Sequence, residues 1–107
     1  MTQAVLQTKD DRIAISGELI FDSVPVLWQE IQSMLNSAST TIEVVDLVAV
    51  KRADSAGVAM LVAWLGLARR LGHSVRFINT PEQIRILVRV TGLSELLSLD
   101  ASTVNPL

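Results

Sequence analysis

A helix without charges is the feature that most constrains how this sequence can fold. From Ser55 to Ala68 no Asp, Glu, Lys or Arg occurs; Asp54-Ser55-Ala56-Gly57 opens the run and Gly72 stops it. An ordinary surface helix turns charged residues towards solvent, so something other than water is expected to cover this one. The run falls short of the roughly 20 apolar residues needed to span a bilayer, which points to a buried or interfacial helix. At about 100° per residue from Ser55, the side chains of Val58, Met60, Leu61, Trp64, Leu65, Leu67 and Leu71 gather on one broad side, the expected core face. Ser55, Ala59, Val62, Gly66, Arg69 and Arg70 fall opposite, with Ala63 at the edge. That stripe is small and apolar until its last turn. Either another part of the chain covers it, or its smoothness lets a partner's backbone approach closely.

Composition narrows the classes. The 107 residues suit one domain, 1–107, with a core at 6–99 and a flexible tail at 102–107; such a chain buries roughly two-thirds of the surface its unfolded form exposes. Half the residues are hydrophobic and the net charge is −2, so there is no general attraction to nucleic acid or acidic lipid. The absence of cysteine excludes a disulfide framework, a thiol nucleophile and cysteine-ligated zinc, and fits a reducing compartment, the cytoplasm by default. Met1-Thr2-Gln3-Ala4-Val5 lacks the positive start and long apolar run of a signal peptide, so the mature chain is expected to begin at or near Met1.

Along the chain, strands and helices alternate. Val5 and Leu6 start a weak strand, Lys9-Asp10-Asp11 turns, and Arg12 to Ser16 alternates as a half-buried strand, forming a hairpin. Asp22 or Ser23 is placed to cap a helix with Pro25 in its first turn; Val24, Leu27, Trp28, Ile31, Met34 and Leu35 share one face, and the helix ends near Asn36. Trp28 lies about 60° off the centre of that stripe, which lets one edge of the indole emerge. Thr41 to Asp46 reads as a central strand rich in β-branched residues, Leu47 to Ala53 as a loop into the long helix, and Ser74 to Asn79 as a strand joined by a right-handed parallel crossover. Thr80-Pro81-Glu82-Gln83 has the form of a capping box with proline at the first helical position, opening a helix through Ile84, Leu87 and Val88 to Gly92. Leu96 to Leu99 adds a short edge strand or a last helical turn.

Ser55 has two chemical readings. With Asp54 as N-cap, accepting from the N–H of Ala56 or Gly57, Ser55 sits in the first turn near the positive helix end. A nucleophilic serine needs a base, and the only histidine, His73, lies beyond the other helix end, on the order of 25 Å away at 1.5 Å per residue. A Ser-His pair within one subunit is thereby excluded, and His73 reads as a turn residue. A phosphate on Ser55 is favoured by the helix dipole and opposed by Asp54, which makes it a local charge switch. Arg85, Arg89 and Glu82 form an ordinary solvated face, whereas Lys51 and Arg52 stand just before the motif and frame it.

The order of elements, the strand Ile42 to Asp46, the turn through Val50 and Asp54-Ser55-Ala56-Gly57 at the head of a long helix together resemble the STAS domain, over roughly Leu6 to Leu99. The resemblance implies an α/β fold, a single mixed four- to five-stranded sheet with helices packed against it, in a binding module without catalytic activity. Asp54-Ser55-Ala56-Gly57 is similar to the Asp-Ser-Ser/Thr-Gly segment of anti-sigma factor antagonists, in which the serine is the phosphorylation site; Ala56 departs from that pattern. The joint spacing of Gly17-Glu18-Leu19, Leu27-Trp28, Asp46-Leu47, Val50, Arg52 and Asp54-Ser55-Ala56-Gly57, continued by Ala59, Leu61, Ala68, Arg69, Gly72 and Gly92-Leu93, is similar to the STAS subunits of Mla phospholipid-transport ABC systems, the MlaB type.

In that family the STAS subunit binds the cytoplasmic ATPase and supports its assembly and activity, while other subunits contact lipid. The resemblance implies partner binding at Trp28, Arg52, Asp54, Ser55, Ala59, Val62 and Gly66, with an MlaF-like ABC transporter ATPase subunit as direct partner. It also implies a cytoplasmic position peripheral to the inner membrane, and no metal, nucleotide or other cofactor. The alternative it leaves is an anti-sigma factor antagonist switched by phosphorylation of Ser55. A phosphate-handling enzyme has little support, because no glycine-rich loop follows a strand and no metal-ligand cluster is visible.

Overall fold

The computed structural model describes residues 4–9, 11–37 and 42–94. Strands β1 (Ala4–Lys9) and β2 (Arg12–Leu19) precede helix α1 (Val24–Leu35), strand β3 (Val44–Ala53), helix α2 (Ser55–Arg70), strand β4 (Arg76–Ile78) and helix α3 (Glu82–Val90). The four strands form one sheet in the order β1-β2-β3-β4. β1 pairs antiparallel with β2, placing Leu6 opposite Ile15, and β2–β3 and β3–β4 are parallel. Each parallel step moves the same way across the sheet through a helix, so crossovers of one hand stack their helices on one face. Burial shows the result along β2: Ile13 and Ile15 are buried, and Arg12 and Ala14, which alternate with them, are exposed. This is the mixed sheet with packed helices that the sequence implies.

The core joins all three helices to that covered face. Leu27, Ile31 and Leu35 of α1, Leu61 and Trp64 of α2, and Ile84 and Val88 of α3 meet Ile13, Ile15, Val45 and Leu47. Trp64 is fully buried and meets Phe77 edge to face, with ring centroids 5.8 Å apart at 84°. Such a pair adds about 0.5–1.5 kcal/mol beyond the area it buries, and it fastens α2 to the short strand β4.

Several local expectations are corrected. Leu47 to Ala53, expected as a loop, continues β3 and pairs with β2 as far as Leu19 opposite Ala53. Register shifts between Ala14 and Ser16 and between Gly17 and Glu18 break the alternation, so β3 buries Leu47, Val50 and Ala53 at intervals of three and conceals its strand character from a period-two reading. β3 begins at Val44, with Ile42 and Glu43 ahead of it, and β4 is confined to Arg76–Ile78 because Asn79 turns at φ 55°. The capping box does not form. Pro81 takes the N-cap position, the buried Thr80 hydroxyl has no partner among the described residues, and Gln83 Oε1 instead accepts the Ala53 N–H at 2.9 Å.

Ser23 occupies the N-cap of α1, but its hydroxyl serves the turn before the helix rather than the first-turn N–H groups. Leu71, assigned to the core face, follows the end of α2 and is exposed, while Gly57 and Ala68 are buried there instead. Thr41, Asp10, the edge element at Leu96 to Leu99 and the tail 102–107 lie outside the described residues.

Gly57 explains the last position of Asp54-Ser55-Ala56-Gly57. A Cβ there would stand 2.6 Å from the Leu19 carbonyl oxygen and 2.9 Å from Leu19 Cβ, so only glycine lets the first turn of α2 rest on the end of β2. At Gly66, by contrast, a Cβ would meet nothing within 4 Å. Gly57→Ala is expected to lower stability by about 1–3 kcal/mol through overpacking, and Gly66→Ala to raise it by up to about 1 kcal/mol through helix propensity. Urea unfolding of both variants checks this; a neutral Gly57→Ala would show that the helix seat tolerates a shift.

Candidate functional site

Asp54 is the pivot of the site. In extended conformation at the N-cap of α2, its Oδ1 accepts the Ala56 N–H at 2.9 Å, and its Oδ2 accepts the Phe21 N–H at 3.1 Å. Its own N–H donates to the Leu19 carbonyl at 3.1 Å. One side chain therefore caps α2 and ties the β2–α1 turn to it, which brings the start of α1 alongside the first half of α2.

Between those helices lies an open apolar groove of about 310 Å³. Phe21, Val24, Pro25 and Trp28 line it from the turn and α1, and Ala56, Ala59, Met60 and Ala63 from α2. No charged side chain is among them. Trp28 is half-buried and packs partly against the core, in keeping with its position off the centre of the α1 stripe, and Phe21 is 77% exposed. Arg69 and Arg70 stand in the last turn of α2, where they complement the helix dipole, and Asp54 stands at the first.

The sequence candidates divide between the groove and its surroundings. Trp28 and Ala59 line it, and Asp54 reaches it through Phe21. Ser55 is exposed at the head of α2, while Val62 and Gly66 are half-buried on the flank of the same helix. Arg52 stands apart at the end of β3, where it pairs with Glu18 at 3.4 Å; the arginine side chain is 63% exposed, and such pairs contribute little.

Phe21 lies in a turn, where the periodicity of the sequence carries no information. Val24 and Met60 were assigned wholly to core faces. Ala56 and Ala63 sit beside the stripe of Ala59, and only the approach of α1 from that side reveals them as lining.

Ser55 and His73 lie at opposite ends of α2, about 24 Å apart along the axis. Among the described residues no three His, Cys, Asp or Glu groups converge as a metal site, and no helix is long and apolar enough to cross a membrane. A larger concavity of about 560 Å³ opens on the uncovered sheet face, where Lys9, Arg12 and Asp46 mix charges of both signs with Gln7 and Ala14.

The fold is that of the STAS domain. An anti-sigma factor antagonist from Mycobacterium paratuberculosis superposes with a TM-score of 0.72 at 23% identity, over 94% of this chain and 86% of that one. The Bacillus cell fate determinant SpoIIAA in its phosphorylated form gives 0.68 at 17% identity, over 94% and 92%. These likenesses concern fold alone.

Within that fold class the chain belongs to the MlaB-type STAS family, whose model, described as "Mlab, STAS domain", matches residues 3–99. The intermembrane phospholipid transport system binding protein MlaB of Escherichia coli K12 is 31% identical over 83 residues, covering 78% of this chain and 81% of that protein. The MlaB protein of Haemophilus influenzae is 34% identical over 95 residues, covering 84% and 90%.

Removing the Asp54 carboxylate tests whether it holds the site together. Asp54→Ala is expected to cost about 1–2 kcal/mol, as for loss of a strong N-cap, and Ser55→Ala less than about 0.5 kcal/mol, as for an exposed residue. Thermal and urea unfolding compare the two, and equal losses would contradict the pivot role.

Proposed function

We propose that this chain is a non-enzymatic accessory subunit of an ABC-type phospholipid transporter, and that the groove between α1 and α2 docks the transporter's ATPase subunit, supporting its assembly and activity. The observation that carries this reading is the groove itself: an uncharged, open surface on a chain whose relatives are named as binding proteins of an intermembrane phospholipid transport system. A monomer gains nothing from leaving Phe21 in water, whereas an apolar centre with charges at its ends is the ordinary anatomy of an interface. In this reading the partner covers Trp28 and Ala59 in the groove and extends over Asp54, Ser55, Val62 and Gly66 beside it, with Arg52, at the end of β3, as a more distant contact.

The mechanism is differential binding. A docked subunit shifts the ATPase towards whichever conformation or arrangement fits the groove better, and only by the difference in affinity between the two. It requires no metal or nucleotide of its own. The whole chain acts as one STAS domain, cytoplasmic and held at the inner membrane through its MlaF-like partner.

Ser55 supports a second reading, a phosphorylation-switched antagonist. Its hydroxyl is exposed at the head of α2, where a helix N-terminus favours an anion, although the neighbouring Asp54 carboxylate opposes one. Incubation with an anti-sigma type serine kinase and ATP, followed by mass measurement, separates the two: stoichiometric phosphate on Ser55 favours the antagonist.

For the docking reading, replacing Ser55 with arginine is expected to abolish copurification with the ATPase subunit while leaving the circular dichroism spectrum unchanged. Normal copurification together with normal lipid transport would refute the interface.

A further inference from the structure

The turn that carries Phe21 is unusually well held for a segment that exposes so large a ring. Its residues run Ile20-Phe21-Asp22-Ser23 between β2 and α1. The Ser23 N–H donates to the Ile20 carbonyl at 2.9 Å, the Ser23 hydroxyl accepts the Ile20 N–H at 3.1 Å, and that hydroxyl also donates to the Glu18 carbonyl. Ser23 and Ile20 are buried, which fixes the turn from beneath. At the tip of the turn the Phe21 N–H donates to Asp54 Oδ2, from 33 residues away. The backbone is thus held at both ends while Phe21 as a whole stays 77% exposed at the groove.

We infer that Phe21 is the anchor residue of the groove and that Asp54 is a positioning residue, acting on the partner through Phe21. This rests on the docking reading above and names the residue on which that docking turns; its occupant is the same ATPase subunit, which must present an apolar pocket to the ring. Rigid aromatic side chains dominate interface energetics, and one that is already placed loses little freedom on insertion. Across the groove, Ala56, Ala59 and Ala63 are too short to project, and of the large apolar side chains lining it Phe21 is the exposed one, placed to enter a partner. Asp54 has both oxygens occupied by the chain's own N–H groups, which suits a clamp better than a contact.

Asp54→Asn separates the two roles. Asparagine remains a good N-cap, but its single carbonyl oxygen cannot serve both N–H groups, and its amide nitrogen is a donor facing a donor. With the full-length chain and its ATPase subunit, titration calorimetry is expected to show Phe21→Ala weakening binding roughly thirtyfold or more. Asp54→Asn is expected to weaken it about tenfold, with faster hydrogen exchange at the Phe21 amide and continued protection of the rest of α2. The double variant should match Phe21→Ala alone, because a positioning residue has nothing left to position.

Ala59→Arg, which places a charge in the groove, serves as the control. If Ala59→Arg abolishes binding and Phe21→Ala leaves it within twofold, the anchor assignment is overturned and the docking face stands. If Ala59→Arg binds normally, the docking face is overturned and the anchor with it. Additive effects of Phe21→Ala and Asp54→Asn overturn the positioning role.

Discussion

The contact on which this structure depends is the seat of α2 on the end of β2. Gly57 lies against Leu19 with no room for a methyl group, and the Asp54 N–H donates to the Leu19 carbonyl. From that seat α2 crosses the covered face of the sheet and brings Trp64 onto Phe77. The same seat places the Asp54 carboxylate where it caps α2 and reaches the Phe21 N–H. Fold and groove therefore share one junction, and the four residues Asp54-Ser55-Ala56-Gly57 divide its work. Asp54 ties two segments together, Gly57 permits the approach, Ala56 lines the groove, and Ser55 faces outward.

Much of this was legible from the chain because the strongest signals were local and periodic. The lack of charge from Ser55 to Ala68, the Asp54 cap and the stop at Gly72 define α2 closely, and the structure adds the positive φ of 77° at Gly72. What failed to show were features created by pairing. β3 runs on through Val50 to Ala53 because β2 continues beside it, and an extra residue in β3 at each register shift moves its buried positions to intervals of three, which no single-strand pattern announces. Thr80 and Gln83 have the spacing of a capping box, yet Gln83 is drawn to the orphan N–H of Ala53 at the strand end. Long-range demand overrides local capping there. Phe21 escaped for a related reason: its place is set by a hydrogen bond to Asp54, far off in the chain.

If the docking reading proposed above holds, the half-exposed face of α2 is shaped for contact at some cost to the free chain. Gly66 in a helix interior forgoes about 1 kcal/mol of helix stability relative to alanine, and its own surroundings offer no packing reason for it. Phe21 leaves a large apolar ring in water. Neither choice helps the isolated chain, and both are intelligible if a partner covers α1 and α2 together. The relatives from Escherichia coli and Haemophilus influenzae are named as binding proteins, which accords with that proposal.

The most direct test of that account is a photo-crosslinking map of the assembled transporter, with a benzophenone side chain introduced singly at Ala59 and Ala63 in the groove, and at Ala14 and Val90 away from it. The account predicts crosslinks to the ATPase subunit from positions 59 and 63 and none from 14 or 90. Crosslinks arising from Ala14 on the uncovered sheet face, with silence from the groove, would contradict it.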